Sequence, residues 1–137
     1  GYRWGDADWM EARKSYDPYH SPVNIYEMHL GSWRRHKDGT FLTYTEIAEQ
    51  LVPYLKEMGY THVEFMPVME HPLDMSWGYQ VSGYYAATAR FGEPKELMAL
   101  IDALHPARSI RSCSPTPASG WSGITPMGCA WMRSRPC

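Results

Sequence analysis

Cysteine is absent from residues 1–105 of this 137-residue chain, and aspartate, glutamate and lysine are absent from residues 106–137. No apolar run reaches the length of a membrane-spanning segment, and no secretory signal is visible. The formal net charge of −2 lacks the basic excess of a nucleic-acid-binding domain. These absences predict a protein without membrane or nucleic-acid partners.

The composition changes abruptly at residue 106. All 15 acidic residues precede this point, whereas the residues after it include all three cysteines, Cys113, Cys129 and Cys137. Their spacing fits no metal motif, so we expect no metal site. Prolines and serines interrupt any periodicity in residues 106–137, which are therefore predicted to form an irregular, disordered tail. A zinc site built from the three cysteines is the alternative.

Residues 1–22 combine prolines with aromatic side chains, and the first residue is Gly1 rather than methionine. This pattern favours a connector from a preceding domain that the chain lacks. A frayed terminus is the alternative.

A strand–helix–strand pattern follows the connector. Apolar runs predict strands over residues 23–30 and 61–66. Between them, Thr43 and Glu46 have the spacing of a capping box, and Gly59 is the expected helix end. The apolar face of this helix comprises Ile47, Leu51, Leu55 and Met58. Because parallel strands need such a crossover, the pattern predicts an α/β fold.

A long aromatic loop leaves the second predicted strand. It covers residues 67–90, and residues 77–85 within it read W-G-Y-Q-V-S-G-Y-Y. Pro94 then opens a second helix with the apolar face Leu97, Leu100, Ile101 and Leu104. Ligands of parallel α/β folds bind where such loops leave the strands. Aromatic faces set on this loop can stack on sugar rings, and a packed aromatic loop is the alternative.

Three segments carry a family resemblance. They are residues 24–33 (N-I-Y-E-M-H-L-G-S-W), residues 51–64 (L-V-P-Y-L-K-E-M-G-Y-T-H-V-E), and residues 67–72 (P-V-M-E-H-P) followed by W-G-Y-Q at 77–80. Together they resemble the bacterial glycogen branching enzymes (1,4-α-glucan branching enzymes) of the α-amylase superfamily. The resemblance runs from about Trp4 to His105.

The resemblance implies a partial (β/α)8 TIM barrel, with residues 23–105 as the start of the catalytic domain and its first two βα units. It also implies a retaining glycosyltransferase that cuts an α-1,4 glucan, holds it as a covalent ester and transfers it to a C6 hydroxyl to form the α-1,6 branches of glycogen. An Asp nucleophile and a Glu acid/base carry this chemistry in the family. Both come from later strands, so we expect no catalytic residue, no cofactor and no branching activity in this chain. The parent enzyme is expected to be a cytoplasmic monomer that acts on α-1,4-glucan and glycogen.

The resemblance also assigns substrate-binding residues. Tyr79 falls on the tyrosine that stacks under the sugar at the cleavage point, and Trp77, Gln80 and His71 are its expected neighbours. Three acidic residues near the end of the second strand, Glu64, Glu70 and Asp74, are expected to have structural roles. His29 is expected to be hydrogen-bonded rather than catalytic.

The tail is consistent with a shifted reading frame. When the last base of each codon is read with the first two bases of the next, residues 126–133 can encode D-G-L-R-V-D-A. This sequence resembles the nucleophile strand of the superfamily. The resemblance therefore implies that residues 106–137 are out of frame and that a segment including the third barrel strand is missing.

Two alternatives for the function stay open. One is another enzyme of the α-amylase superfamily, of the trehalohydrolase or debranching type. The other is a non-catalytic glucan-binding fragment that uses Trp77, Tyr79, Tyr84 and Tyr85.

Overall fold

The computed structural model describes residues 1–105 and 111–113. The first half of the fold comprises helix α1 (Ala7–Lys14), strand β1 (Ile25–Met28), the short helix α2 (Leu30–Trp33), helix α3 (Tyr44–Met58) and strand β2 (His62–Phe65). Both predicted strands exist, and each is shorter than the apolar run that predicted it.

The second half begins with an antiparallel pair and returns to the sheet. It comprises strand β3 (Met69–Glu70), strand β4 (Gly83–Ala87), helix α4 (Pro94–Leu104) and strand β5 (Arg111–Cys113). Two 3₁₀ turns, Asp74–Ser76 and Ala89–Phe91, flank β4. The predicted loop over residues 67–90 therefore contains regular structure that its Gly-rich sequence does not indicate.

The central sheet has the strand order β1-β2-β5, and both pairings are parallel. Ile25 lies opposite His62, and Val63 lies opposite Ser112. Helix α3 connects β1 to β2, and helix α4 precedes β5 in the same way. The predicted α/β class is confirmed.

The predicted caps of helix α3 are present. The Thr43 hydroxyl accepts a hydrogen bond from the Glu46 amide at 3.2 Å, and a Glu46 carboxylate oxygen accepts one from the Thr43 amide at 2.8 Å. Gly59 ends the helix with a φ of 75°, in the left-handed region that glycine adopts without a Cβ clash. Helix α4 begins with Pro94 at its first turn, as predicted.

The core lies between the sheet and one face of each long helix. Its fully buried aliphatic side chains come from α3, α4 and β2, and they include Ile47, Leu51, Leu55, Leu97, Leu100, Leu104 and Val63. Met58, which was predicted to share the buried face of α3, is exposed because it lies in the last turn, where the helix leaves the core.

The N-terminal segment packs on the end of helix α4. The Trp9 ring stacks on the His105 ring at a centroid distance of 4.0 Å, and His105 Nδ1 lies 2.9 Å from Asp6 Oδ2. The Gly5 amide donates to Asp102. The segment predicted as a connector thus contacts this chain itself, which is not what a frayed terminus would do.

The prediction of an irregular tail is wrong at Arg111–Cys113, which pair with β2 as the third parallel strand. The physical reason is that the free edge of β2 offers backbone donors and acceptors to any extended segment that follows α4. The remainder of the predicted tail lies outside the described residues. Among the helices described in residues 1–105, none has both the length and the apolar character needed to cross a bilayer.

Candidate functional site

The aromatic loop lies against the carboxyl end of the neighbouring strand. His29 directly follows β1, and Trp77 belongs to the loop that follows β2. Their rings face one another at a centroid distance of 6.0 Å with an interplanar angle of 25°. The contact places the loop at the end of the sheet where parallel α/β folds bind ligands.

A tight turn fixes the backbone of the loop. The Trp77 amide donates to the Asp74 carbonyl and the Tyr79 amide donates to the Ser76 carbonyl, each at 3.0 Å. Trp77 has a φ of 54° and Gly78 a φ of 84°, so two successive residues are left-handed. A Cβ on Gly78 would lie 2.4 Å from the Pro67 carbonyl oxygen. Glycine is required because the loop backbone presses directly against Pro67.

The turn presents aromatic surface to solvent. Trp77 is 54% exposed and Tyr79 is 65% exposed, and Gln80 beside them is exposed as well. Large aromatic side chains on a backbone held by hydrogen bonds offer flat, apolar faces at little cost in conformational entropy. Three of the four predicted site residues are therefore exposed on one short turn, on either side of the buried Gly78.

The fourth predicted residue, His71, is buried and lies on the inner side of the loop. It lines a cavity of about 190 Å³ together with His29, Gly31, Ser32, Arg35, Phe41, Asp74, Met75, Trp77, Arg90 and Phe91. Trp77 lines this cavity and is also exposed to solvent, so it belongs both to the cavity and to the exposed face of the turn. Tyr79 and Gln80 are not part of the cavity lining.

The two histidines of the cavity have defined partners. His71 Nδ1 lies 2.8 Å from the Met69 carbonyl, which can only accept, so Nδ1 carries the proton and Nε2 is an acceptor in the neutral ring. His29 Nδ1 pairs with the Ser32 hydroxyl at 2.9 Å. Burial lowers the pKa of His29, the neighbouring His71 ring and the charge of Arg35 act in the same direction, and the charge of Asp74 opposes them. The prediction that His29 is hydrogen-bonded is confirmed.

Two of the three acidic residues form ion pairs with one arginine. Arg90 Nη1 lies 2.8 Å from a Glu70 carboxylate oxygen, and its Nε contacts the Asp74 carboxylate. Burial raises the pKa of the Glu70 carboxyl, but hydrogen bonds from its neighbours and the charge of Arg90 outweigh burial, so the net shift is downward. These contacts agree with structural roles for Glu70 and Asp74. Arg90 was not predicted, and no local motif marks it.

A second group of polar side chains lies at the junction of the N-terminal segment and α4. Ligand atoms of Asp6, Asp102 and His105 lie within 4.8 Å of one another. Each of the three already has a hydrogen-bond partner. Asp6 pairs with His105, and Asp102 accepts a hydrogen bond from the Tyr2 hydroxyl at 2.9 Å. Burial and the Asp102 contact raise the pKa of Tyr2 to about 12. These hydrogen bonds attach the N-terminal segment to α4.

No family model matches this chain. Curated relatives do match it, and those with the highest similarity include branching enzymes from two bacteria. The 1,4-alpha-glucan branching enzyme GlgB of Nitrosomonas eutropha is 58% identical over 106 residues, which are 77% of this chain and 14% of the relative. The enzyme of the same name from Clostridium perfringens is 61% identical over 104 residues, which are 76% of this chain and 16% of the relative. The chain thus spans only a small part of these relatives.

Solved structures show the same fold. A putative alpha amylase from Salmonella typhimurium matches with a TM-score of 0.62 and 26% identity, covering 94% of this chain and 23% of that one. A trehalose-6-phosphate hydrolase from Bacillus licheniformis matches with a TM-score of 0.59 and 20% identity, over 67% of this chain and 16% of that one. These structural neighbours show that the chain is an α/β segment of an α-amylase-type fold. Over the residues that it shares with its curated relatives, the chain belongs to the family of 1,4-alpha-glucan branching enzymes.

Proposed function

We propose that this chain contains the first two βα units of the (β/α)8 barrel of a 1,4-α-glucan branching enzyme, and that it binds α-1,4 glucan through Trp77 and Tyr79. The identity to branching enzymes supports the family assignment, and the parallel order of β1 and β2 is that of successive barrel strands. A cytoplasmic location and a monomeric parent enzyme, both predicted from the sequence, are parts of this proposal.

One observation carries the binding role. Trp77 and Tyr79 are more than half exposed although they lie on a turn that is fixed by backbone hydrogen bonds and by contact with Pro67. Exposed aromatic rings held rigidly at the carboxyl end of a parallel sheet have the geometry of a sugar-stacking platform. Gln80, beside Tyr79, adds an exposed amide that can bond to sugar hydroxyls.

The acidic residues near the platform do not supply the branching chemistry. Retaining transfer needs one carboxylate as nucleophile and a second carboxyl group with a raised pKa as acid. The Glu70 carboxyl has the opposite property, because its pKa is lowered and it is bonded to Arg90. The resemblance assigns nucleophile and acid/base to strands outside this chain. We therefore propose glucan binding, without catalysis, for the chain alone.

Affinity electrophoresis of the full chain in gels that contain amylopectin tests this function. We expect the polysaccharide to retard the wild-type chain, and Tyr79→Ala to weaken binding about tenfold, or about 1.4 kcal/mol, because a stacking face is lost. Tyr19→Ala is the matched control, since Tyr19 is 82% exposed in the N-terminal segment. Equal mobility of all three proteins with and without polysaccharide would rule out the proposed function.

Of the four aromatic residues in the predicted glucan-binding fragment, the two on β4 are less well supported as a platform than Trp77 and Tyr79. Tyr84 and Tyr85 are 59% and 65% exposed, but they are successive residues of one strand. Successive side chains of a strand point to opposite faces of a sheet, so the two rings cannot form one platform. The similarity to other α-amylase-type enzymes shows the fold and favours no other reaction over branching. Cys129 and Cys137 of the zinc alternative lie outside the described residues.

A further inference from the structure

Arg90 bridges strand β3 and the turn that follows it in the chain. Its side chain reaches Glu70 on β3 and Asp74 at the start of the 3₁₀ turn that precedes Trp77. One guanidinium therefore holds the strand side and the loop side of the aromatic segment at the same time. Arginine can do this because its planar group presents several donors in fixed directions.

The strand side of this connection is firmly anchored. Besides Arg90, the Glu70 carboxylate accepts hydrogen bonds from the Ala89 amide at 2.8 Å and from the Thr88 hydroxyl at 3.2 Å. Thr88 is fully buried, and its carbonyl accepts from the buried Tyr44 hydroxyl of α3 at 2.9 Å. The position of Glu70 is thus tied to the core of the fold.

The loop side differs: beyond its own turn hydrogen bonds and the contact of Gly78 with Pro67, it has few buried side-chain anchors. The Asp74 side chain is 59% exposed, and the neighbouring Leu73 and Met75 are exposed as well. Trp77 directly follows the turn that begins at Asp74, and the Trp77 amide donates a hydrogen bond to the Asp74 carbonyl. Any movement of Asp74 therefore moves the backbone that presents Trp77 and Tyr79.

We propose that Arg90 and Asp74 are positioning residues for glucan binding: their ion pair holds the turn that presents Trp77 and Tyr79 in the geometry that binds the sugar. This proposal rests on the proposed function and adds to it residues that do not touch the glucan platform themselves. The ion pair raises the affinity for glucan through preorganisation, because a turn that is already held in its binding geometry loses less entropy when the ligand binds.

A purely structural role predicts a different result. The Arg90–Asp74 pair is open to solvent on the Asp74 side, so it contributes little to the free energy of unfolding, because solvent weakens it and ordering the Asp74 side chain costs entropy. Loss of the Asp74 carboxylate should therefore leave the melting temperature nearly unchanged. A loss of affinity without a loss of stability is the property that separates positioning from support of the fold.

Salt provides a second signature. An α-1,4 glucan is uncharged, so its binding to aromatic faces has no direct dependence on ionic strength. If the partly exposed Arg90–Asp74 pair positions those faces, added salt screens the pair and weakens binding indirectly. The wild-type chain should then lose affinity between low and high salt, and a variant without the pair should not.

The experiment measures maltoheptaose binding by calorimetry, together with thermal unfolding, for the full-length chain and its variants. We expect Asp74→Ala to bind about fivefold more weakly at low salt, with little change in melting temperature. Arg90→Lys should be weakened similarly, because a compact ammonium group lacks the planar fork of donors with which the guanidinium contacts Glu70 and Asp74 at once. Asp74→Glu should restore part of the affinity. Glu11→Ala is the control, since Glu11 forms an exposed ion pair with Lys14 in α1.

The outcomes separate this proposal from the one on which it rests. If the wild-type chain binds, Tyr79→Ala does not, and Asp74→Ala binds like the wild type at every salt concentration, the positioning role is wrong and the glucan-binding function stands. If Asp74→Ala loses affinity and stability together, the pair supports the fold and the positioning role is also wrong. If the wild-type chain does not bind maltoheptaose, both proposals are wrong.

Discussion

At the scale of single residues, the site depends on two successive left-handed conformations. Gly78 adopts its φ of 84° freely, whereas Trp77 at 54° bears the cost of a Cβ in this region. Strained backbone of this kind persists where the surrounding contacts determine it and is frequent at binding sites. Here the hydrogen bonds of the 3₁₀ turn and the contact with Pro67 provide those contacts.

Gly78→Ala should be clearly destabilising. The new Cβ would meet the Pro67 carbonyl oxygen at 2.4 Å, in a conformation that alanine disfavours. We expect the free energy of unfolding to fall by about 3 kcal/mol, from strain together with steric overlap. The measurement is urea unfolding followed by circular dichroism.

Gly39→Ala is the matched control for this prediction. Gly39 has a φ of 87°, and nothing lies within 4 Å of the position that a Cβ would take. Alanine at this position meets no steric overlap, so we expect the free energy of unfolding to fall only by the strain of a left-handed backbone, about 1 kcal/mol. Equal losses for the two variants would contradict the close contact between the loop and Pro67.

Residue roles were predictable where short-range chemistry determines them. The capping box of Thr43 and Glu46 and the end of the helix at Gly59 follow from side-chain chemistry within one turn, and the structure contains both. The bridging role of Arg90 was not predictable, because its two partners lie 16 and 20 residues away along the chain. Its contacts exist only after the hairpin of β3 and β4 has formed.

At the scale of elements, the order of strands and helices followed from the apolar periodicity of the helices and from their caps. The β3–β4 pair was missed because β3 has only two residues, too few to show an alternating pattern. Backbone hydrogen bonds extend this short pairing at both ends, from the Thr88 amide to the Val68 carbonyl and from the Ser82 amide to the Glu70 carbonyl. Strand β5 was missed because prolines and serines surround it.

The attachment of α1 to α4 is predicted to depend on pH. Burial lowers the pKa of His105, and the charge of Arg13 acts in the same direction, whereas Asp6 and Asp102 oppose the shift. The unfolded chain therefore binds a proton at a higher pH than the folded chain. Stability should be fully present above about pH 6.5 and should be lost as the pH falls through the lower pKa of the folded state.

Thermal unfolding at pH 7.5 and pH 5.5 provides the measurement. We expect the melting temperature of the wild-type chain to fall at the lower pH, and the fall to be smaller in His105→Gln, whose amide does not titrate. The remaining dependence includes a contribution from His29, whose pKa is also lowered. His20→Gln, at an exposed position, is the control. An undiminished fall in His105→Gln would show that His105 does not couple to folding.

At the scale of the whole molecule, the chain is a small part of a larger architecture. It spans 14 to 17% of the length of its curated relatives, and its three parallel strands form only part of the sheet that a closed barrel requires. The α/β class and the branching-enzyme family were both accessible from sequence. The third strand, Arg111–Cys113, was not, because its formation depends on the edge of β2 rather than on its own pattern.

The central claim is that the exposed aromatic turn of this chain binds α-1,4 glucan. The most direct test is an NMR titration of the ¹⁵N-labelled full-length chain with maltoheptaose. We expect the indole N–H of Trp77 and the amide of Tyr79 to shift in a saturable manner, while the indole signals of Trp9 and Trp33 stay in place. Saturable shifts confined to other residues, or no shifts at all, would contradict the claim.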